Sequence, residues 1–156
     1  MTKKSDFNLI VDLIKREDRF VVLTHVQPDG DAFGSILGLT MLLKKMGKDV
    51  FLSIGKDIKI SPKYSFLPGL DLIRPLDDYH NDFLNFIVLD CGSIERLGYW
   101  ETFAKNAKNI INIDHHKSNT EFGALNYIDK KSSSSSEMVY ELGLALDVEI
   151  DKDIAL

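Results

Sequence analysis

The chain has 156 residues, 44% hydrophobic and 28% charged, with 19 Lys and Arg against 24 Asp and Glu for a net charge of −5. That length suits one ordinary domain with a sizeable core, and that balance excludes disorder, a fibre and a protein that coats long nucleic acid with bulk positive charge. The single cysteine, Cys91, excludes an intramolecular disulfide framework and a cysteine-rich zinc site, which suits a reducing interior.

The N-terminal "MTKKSDFNLIVDLIKRED" has no apolar run long enough for a signal or membrane segment, so cytoplasmic residence is expected. Within it Phe7, Ile10, Val11 and Ile14 recur at helical spacing, with Ser5 or Asp6 available as cap. "FVVLT" (20–24) is an apolar, β-branched run of the kind buried on both faces of a sheet. The loop "HVQPDGD" follows, and then "AFGSILGLTMLLKKMG", a helix that ends in lysines and stops at Gly47. Gly34 and Ser35 are read as its start, where free amides favour an anion.

"VFLSI" (50–54) is the next strand, and 61–69 reads as irregular. "FIVLD" (86–90) is a further buried strand followed by a turn and short helix in "CGSIERLGYW", and "NIINID" (109–114) is another, closing on "DHH". Alternating strands and helices predict an α/β fold: doubly wound, with a mostly parallel sheet and helices on both faces. The run "KSSSSSEMVYELGLALD" admits a flexible linker or a helix; Ser134 with Glu137 as a capping box, and Val139, Leu142, Gly143 and Leu146 on one face, favour the helix. Asp151 opens a last helix with five residues after it, too few to be stable alone, and the expectation is a domain cut from a longer protein.

Three buried strands end in groups that bind metals: His25, Asp29 and Asp31 after the first, Asp90 at the end of another, and Asp114, His115 and His116 at a third. Carboxyl ends of parallel strands share one edge, where ligands bind, so these distant segments are expected to converge. Each Asp alone is most simply a cap or turn residue and each His a solvated one; three clusters at three strand ends change that balance. Carboxylates and imidazoles without thiolate suit Mn²⁺, with Mg²⁺ as the alternative, and two ions roughly 3.5 to 4 Å apart would suit phosphoryl hydrolysis. Cys91 reads as a small strand-end residue, His80 as solvated, Trp100 and Tyr99 as packing at the sheet edge, and Lys117 as a phosphate contact.

"HVQPDGDAFGS", "VLDCGSIERLG" and "NIDHHKSN" together resemble three motifs of the DHH phosphoesterases, over essentially the whole chain. Within that family the chain looks like the small bacterial proteins that degrade very short RNA and dephosphorylate 3′-phosphoadenosine 5′-phosphate. The resemblance implies a Rossmann-like DHH catalytic domain that hydrolyses phosphoesters by two-metal activation of water. It assigns His25 and Asp29 to the first Mn²⁺, Asp31 and His115 to the second, and Asp90 to both. Asp114 would orient an imidazole and His116 would contact the substrate phosphate. Arg96 would either assist a phosphate or serve the surface.

By that resemblance two departures stand out: the sequence stops at Leu156 before the family's further bridging aspartate is reached, and the family's smaller substrate-gripping domain is not in it. The competing readings are a metal and nucleotide binding module without turnover, an inorganic pyrophosphatase and a cyclic-dinucleotide phosphodiesterase. The expected partner is short RNA or a nucleotide phosphate, with no membrane, and an open sheet edge or cleft could pair with a second copy.

Overall fold

In the computed structural model, which describes residues 4–156, the hydrophobic runs set the order of elements. Helix α1 (Lys4–Arg16) buries Ile10, Val11, Leu13 and Ile14 along one stripe. Asp6 lies inside the helix and is not its cap: the Asn126 backbone N–H donates to its carboxylate at 3.0 Å, tying α1 to β5. Then come β1 (Arg19–Leu23), α2 (Gly30–Lys45) and β2 (Asp49–Ser53). After an irregular stretch, β3 (Asn85–Leu89) is followed by a 3₁₀ segment (Ile94–Trp100) and α3 (Glu101–Lys105). The chain continues through β4 (Asn109–Asp114), β5 (Leu125–Ile128), α4 (Ser135–Ala145) and α5 (Lys152–Ala155).

The strands form one parallel sheet in the order β2-β1-β3-β4-β5. All five residues of β3 are buried, as an apolar run in the middle of a parallel sheet requires. Successive side chains point to opposite faces and feed two cores. Phe20, Val22, Ile87, Leu89, Ile111 and Ile113 pack with α1, α2 and α4. Val21, Leu23, Phe51, Phe86 and Val88 pack on the other face with Tyr79, Phe83, Leu97 and Trp100.

The second face is closed mainly by aromatic rings. Trp100 sits 5.0 Å from Tyr79 and 5.8 Å from Phe51, centroid to centroid, and its Nε1–H donates to Ser53 Oγ at 3.1 Å. Burying such a ring together with a satisfied N–H favours the fold by a few kcal/mol, about 1.5–3 per large apolar side chain. Tyr99, its neighbour, is 69% exposed and does not pack on the sheet edge as expected. Gly98 precedes the two rings with φ +58, and a Cβ there would meet Val26 Cγ1 at 2.8 Å, so only glycine fits.

This topology fixes the position of the site. From β1 the chain moves outward to β2, then returns across β1 to β3, so β1 and β3 flank the switch point of the sheet. Loops leaving their carboxyl ends diverge and open a crevice. Among the described residues, no helix is long and apolar enough to cross a membrane.

Candidate metal centre

The loop from β1 to α2 delivers the first group of side chains. His25 is buried, and its Nδ1 lies 2.8 Å from the Val26 carbonyl oxygen. A carbonyl only accepts, so Nδ1 carries the proton and Nε2 is left to face Asp90 Oδ2 at 3.7 Å. The Asp90 carboxylate holds the His25 imidazole above its usual pKa, against burial and the Arg96 charge, which both push it down. Asp29 caps α2, its Oδ1 accepting from the Ala32 N–H at 3.0 Å. The helix therefore begins at Gly30, a turn before Gly34 and Ser35. Ser35 is fully buried and donates its hydroxyl to the Ala32 carbonyl, so it is turned away from any anion at the helix start.

Asp90 follows β3 directly and is 1% exposed, with φ +54. A non-glycine residue in the left-handed region is uncommon and costs energy that the surroundings must supply. Its effect is to turn the carboxylate into the crevice, with a different imidazole beside each oxygen. Oδ2 faces His25, whereas Oδ1 lies 3.6 Å from His115 Nε2 and 3.7 Å from His116 Nδ1. Two sets of ligand atoms, each gathered within 4.8 Å, result: His25, Asp29 and Asp90, and Asp90, His115 and His116. Asp90 belongs to both.

Asp31 completes the cluster from the other side. Its Oδ2 lies 3.4 Å from His115 Nε2 and accepts from the Ser135 N–H at 2.8 Å, while Oδ1 accepts from the Ser136 N–H at 2.9 Å and the Ser136 hydroxyl at 2.7 Å. Ser135 also donates its hydroxyl to Asp90 Oδ1 at 3.0 Å. His115 Nδ1, 3.4 Å from the Ser132 carbonyl, is oriented like the His25 ring, leaving Nε2 for the crevice.

Asp114 is fully buried and anchors the third segment. Its Oδ1 accepts from the His115 N–H at 2.9 Å and pairs with His116 Nδ1 at 2.7 Å; its Oδ2 accepts from Asn119 Nδ2 at 2.6 Å. Asn119 also touches Asn112 Oδ1 at 2.8 Å and the Cys91 carbonyl at 3.2 Å. With Nδ1 held by Asp114, the half-buried His116 presents Nε2 as its free nitrogen. Arg96 and Lys117 are exposed, and the Arg96 charge is felt at His25.

Of the residues singled out from sequence, His25, Asp29, Asp31, Asp90, Asp114, His115 and His116 converge, and Arg96 lies beside them. The sequence reading overlooked Ser135, Ser136, Asn112 and Asn119; the capping pattern at Ser134 was the only signal near the two serines. The donor set fits a divalent cation of the Mn²⁺ or Mg²⁺ kind: carboxylates and neutral imidazole nitrogens, with no thiolate. Cys91 is not part of it, since burial pushes its thiol up to about 12 and its Sγ–H is directed at the Ser93 carbonyl.

A doubly wound α/β domain with a carboxylate and imidazole cluster shared around one aspartate at its switch point is therefore the class of protein defined here. The chain matches the DHH family, N-terminal domain, over residues 19–156, and it belongs to that family. It is 34% identical over 137 residues to the bifunctional oligoribonuclease and PAP phosphatase NrnA of Bacillus subtilis, spanning 86% of this chain and 41% of that one. To the protein of the same name from Thermus thermophilus it is 31% identical over 155 residues, covering 94% of this chain and 43% of the relative. A crystal structure of an exopolyphosphatase-related protein from Bacteroides fragilis superposes with a TM-score of 0.80 at 26% identity, over 94% of this chain and 46% of that one. The chain thus spans about half the length of these relatives or a little less.

Proposed function

We propose that this domain hydrolyses phosphate esters of very short RNA or of nucleotides such as 3′-phosphoadenosine 5′-phosphate, with two Mn²⁺ ions held around Asp90. The observation that carries the reading is the Asp90 carboxylate, one oxygen beside His25 and the other beside His115 and His116. His25 and Asp29 would hold one ion, Asp31 and His115 the other, and Asp90 would serve both. Divalent ions in such a site polarise phosphoryl oxygens and lower the pKa of water toward neutrality.

The remaining work falls to the protein's own groups. His116, anchored through Nδ1 by Asp114, keeps Nε2 for the substrate, and as an imidazolium would donate from it to a phosphate oxygen. Arg96 and Lys117 add positive charge at the rim for a polyanionic substrate. The NrnA relatives carry the names of both activities, which supports the substrate class.

The test is Mn²⁺-dependent hydrolysis of a 5′-phosphorylated RNA dinucleotide and of 3′-phosphoadenosine 5′-phosphate, with Asp90→Ala as control. Product from the unaltered protein and none from Asp90→Ala is the expected result. Turnover retained in Asp90→Ala, or uptake of Mn²⁺ and nucleotide by the unaltered chain without product, overturns the proposal.

A further inference from the structure

The N-terminus of α4 makes four hydrogen bonds with the carboxylate cluster, from a segment whose composition reads as a linker. Ser135 is fully buried. Its only side-chain donor, the hydroxyl, goes to Asp90 Oδ1 at 3.0 Å, and its amide goes to Asp31 Oδ2 at 2.8 Å. Ser136 gives its amide and hydroxyl to Asp31 Oδ1, at 2.9 and 2.7 Å.

A carboxylate oxygen has two lone pairs, and counting them separates the roles of the two serines. Asp31 Oδ1 is filled by the two Ser136 donors, while Oδ2 spends one lone pair on the Ser135 amide and keeps one on the side of His115 Nε2, 3.4 Å away. Asp90 Oδ1 spends one on the Ser135 hydroxyl and keeps one facing the same nitrogen at 3.6 Å. Both oxygens left with a lone pair beside His115 are therefore set by Ser135. The oxygen that Ser136 fills has none left to offer.

We propose that Ser135 is a positioning residue for one of the two cation positions, the one bounded by Asp90 Oδ1, Asp31 Oδ2 and His115 Nε2. Its hydroxyl stops the Asp90 carboxylate from rotating about Cβ–Cγ, which would exchange the oxygens facing His25 and His115. Among the described residues no hydrogen bond runs from α4 to His25, Asp29 or Asp90 Oδ2, so the position these atoms bound meets Ser135 only through the shared Asp90 carboxylate and depends on it less. This inference rests on the two-cation reading above, and adds that one residue controls the two positions unequally.

The experiment is a calorimetric titration of Mn²⁺ into the unaltered chain, Ser135→Ala and Ser136→Ala, with electron paramagnetic resonance to distinguish a coupled pair of ions from a lone one. Both variants keep their backbone amides and the Ser134 cap. Groups that orient metal ligands typically change affinity by about 10–100-fold. The expected result is a loss of about that size in the weaker step of Ser135→Ala alone, with the tighter step little changed and the coupled signal replaced by a lone-ion one. Equal losses in both steps, no loss, or an equal loss in Ser136→Ala overturns the assignment. Unfolding in urea with chelator present is the check on folding: a Ser135→Ala variant that unfolds with the unaltered chain yet loses one ion supports positioning, and one that loses both steps with its fold overturns it. Uptake of a single ion by the unaltered chain would instead count against the two-cation reading itself.

Discussion

Asn119→Asp exchanges one atom in a buried network and reverses its electrostatics. In the native chain Asn119 Nδ2 donates to Asp114 Oδ2 at 2.6 Å, and Asp114 is 0% exposed. A carboxylate at 119 would set two negative oxygens against each other at that distance, with Asn112 Oδ1 and the Cys91 carbonyl, both acceptors, close by. Turning the side chain over does not help, because the oxygen that accepts from the Glu121 N–H at 2.6 Å would be replaced by a second acceptor of the same kind. The new carboxyl must therefore keep its proton to replace the lost donor. Free Asp titrates near pH 3.9, so holding that proton at pH 7 costs up to about 4 kcal/mol, at 1.36 kcal/mol per pH unit.

The sign of the pH dependence follows from linkage. The folded-state pKa of the new group lies above its unfolded value, so its stabilising bond is present in full below the unfolded pKa and is lost as pH rises through the folded one. The destabilisation of Asn119→Asp relative to the native chain should thus grow by up to about 1.4 kcal/mol per pH unit from about pH 5 to pH 7. Urea denaturation at several pH values, with chelator present so that no cation intervenes, measures it. A penalty below about 1 kcal/mol at pH 7, or one independent of pH, would refute the network as described.

Three further outcomes are expected. Cys91, with its thiol at about 12 in a buried site, should resist iodoacetamide in the folded chain at mildly alkaline pH and react fully in urea, as mass spectrometry would show. Gly34→Ala should lower stability in urea with chelator present by about 1–3 kcal/mol while leaving Mn²⁺ affinity little changed, because the added Cβ would lie 2.9 Å from Ser136 Oγ, whose bond to Asp31 Oδ1 occupies an oxygen with no lone pair left for a cation. The Lys45 ammonium, 2.8 Å away, holds the Asp151 carboxyl below its usual pKa. Its contribution to the docking of α5 is present above the unfolded pKa and lost as pH falls through the folded one; a carboxyl chemical-shift titration showing no such depression would count against it.

The central strands were legible in the sequence because burial on both faces makes them continuous apolar runs, as in "FVVLT" and "FIVLD". β5 was not. It has four residues at the sheet edge, only Asn126 of which is fully buried, and its sequence "LNYI" carries neither a clear alternation nor a long apolar run. The helix after the serine run was visible through its cap: Ser134 accepts from the Glu137 N–H, although the Glu137 carboxylate turns to Ser132 and Ser133 and does not close the reciprocal box. The metal-ligand types could be found because each cluster follows a recognisable strand. The roles of Ser135 and Asn119 could not, since a hydroxyl or amide becomes informative only when the fold shows which carboxylate it meets.

The bonds between Asp31 and α4 join residues 104 and 105 positions apart. During synthesis, Asp29 and Asp31 emerge long before the segment that secures one of them, and β4 with its histidines emerges in between. A nascent chain that has made only β1, α2 and β3 has His25 beside its carboxylates but none of His115, His116, Ser135 and Ser136. Cation capture in native geometry would therefore wait until the last third of this chain has docked, and a bound ion would report that the segments after β1, β3 and β4 have met the start of α4.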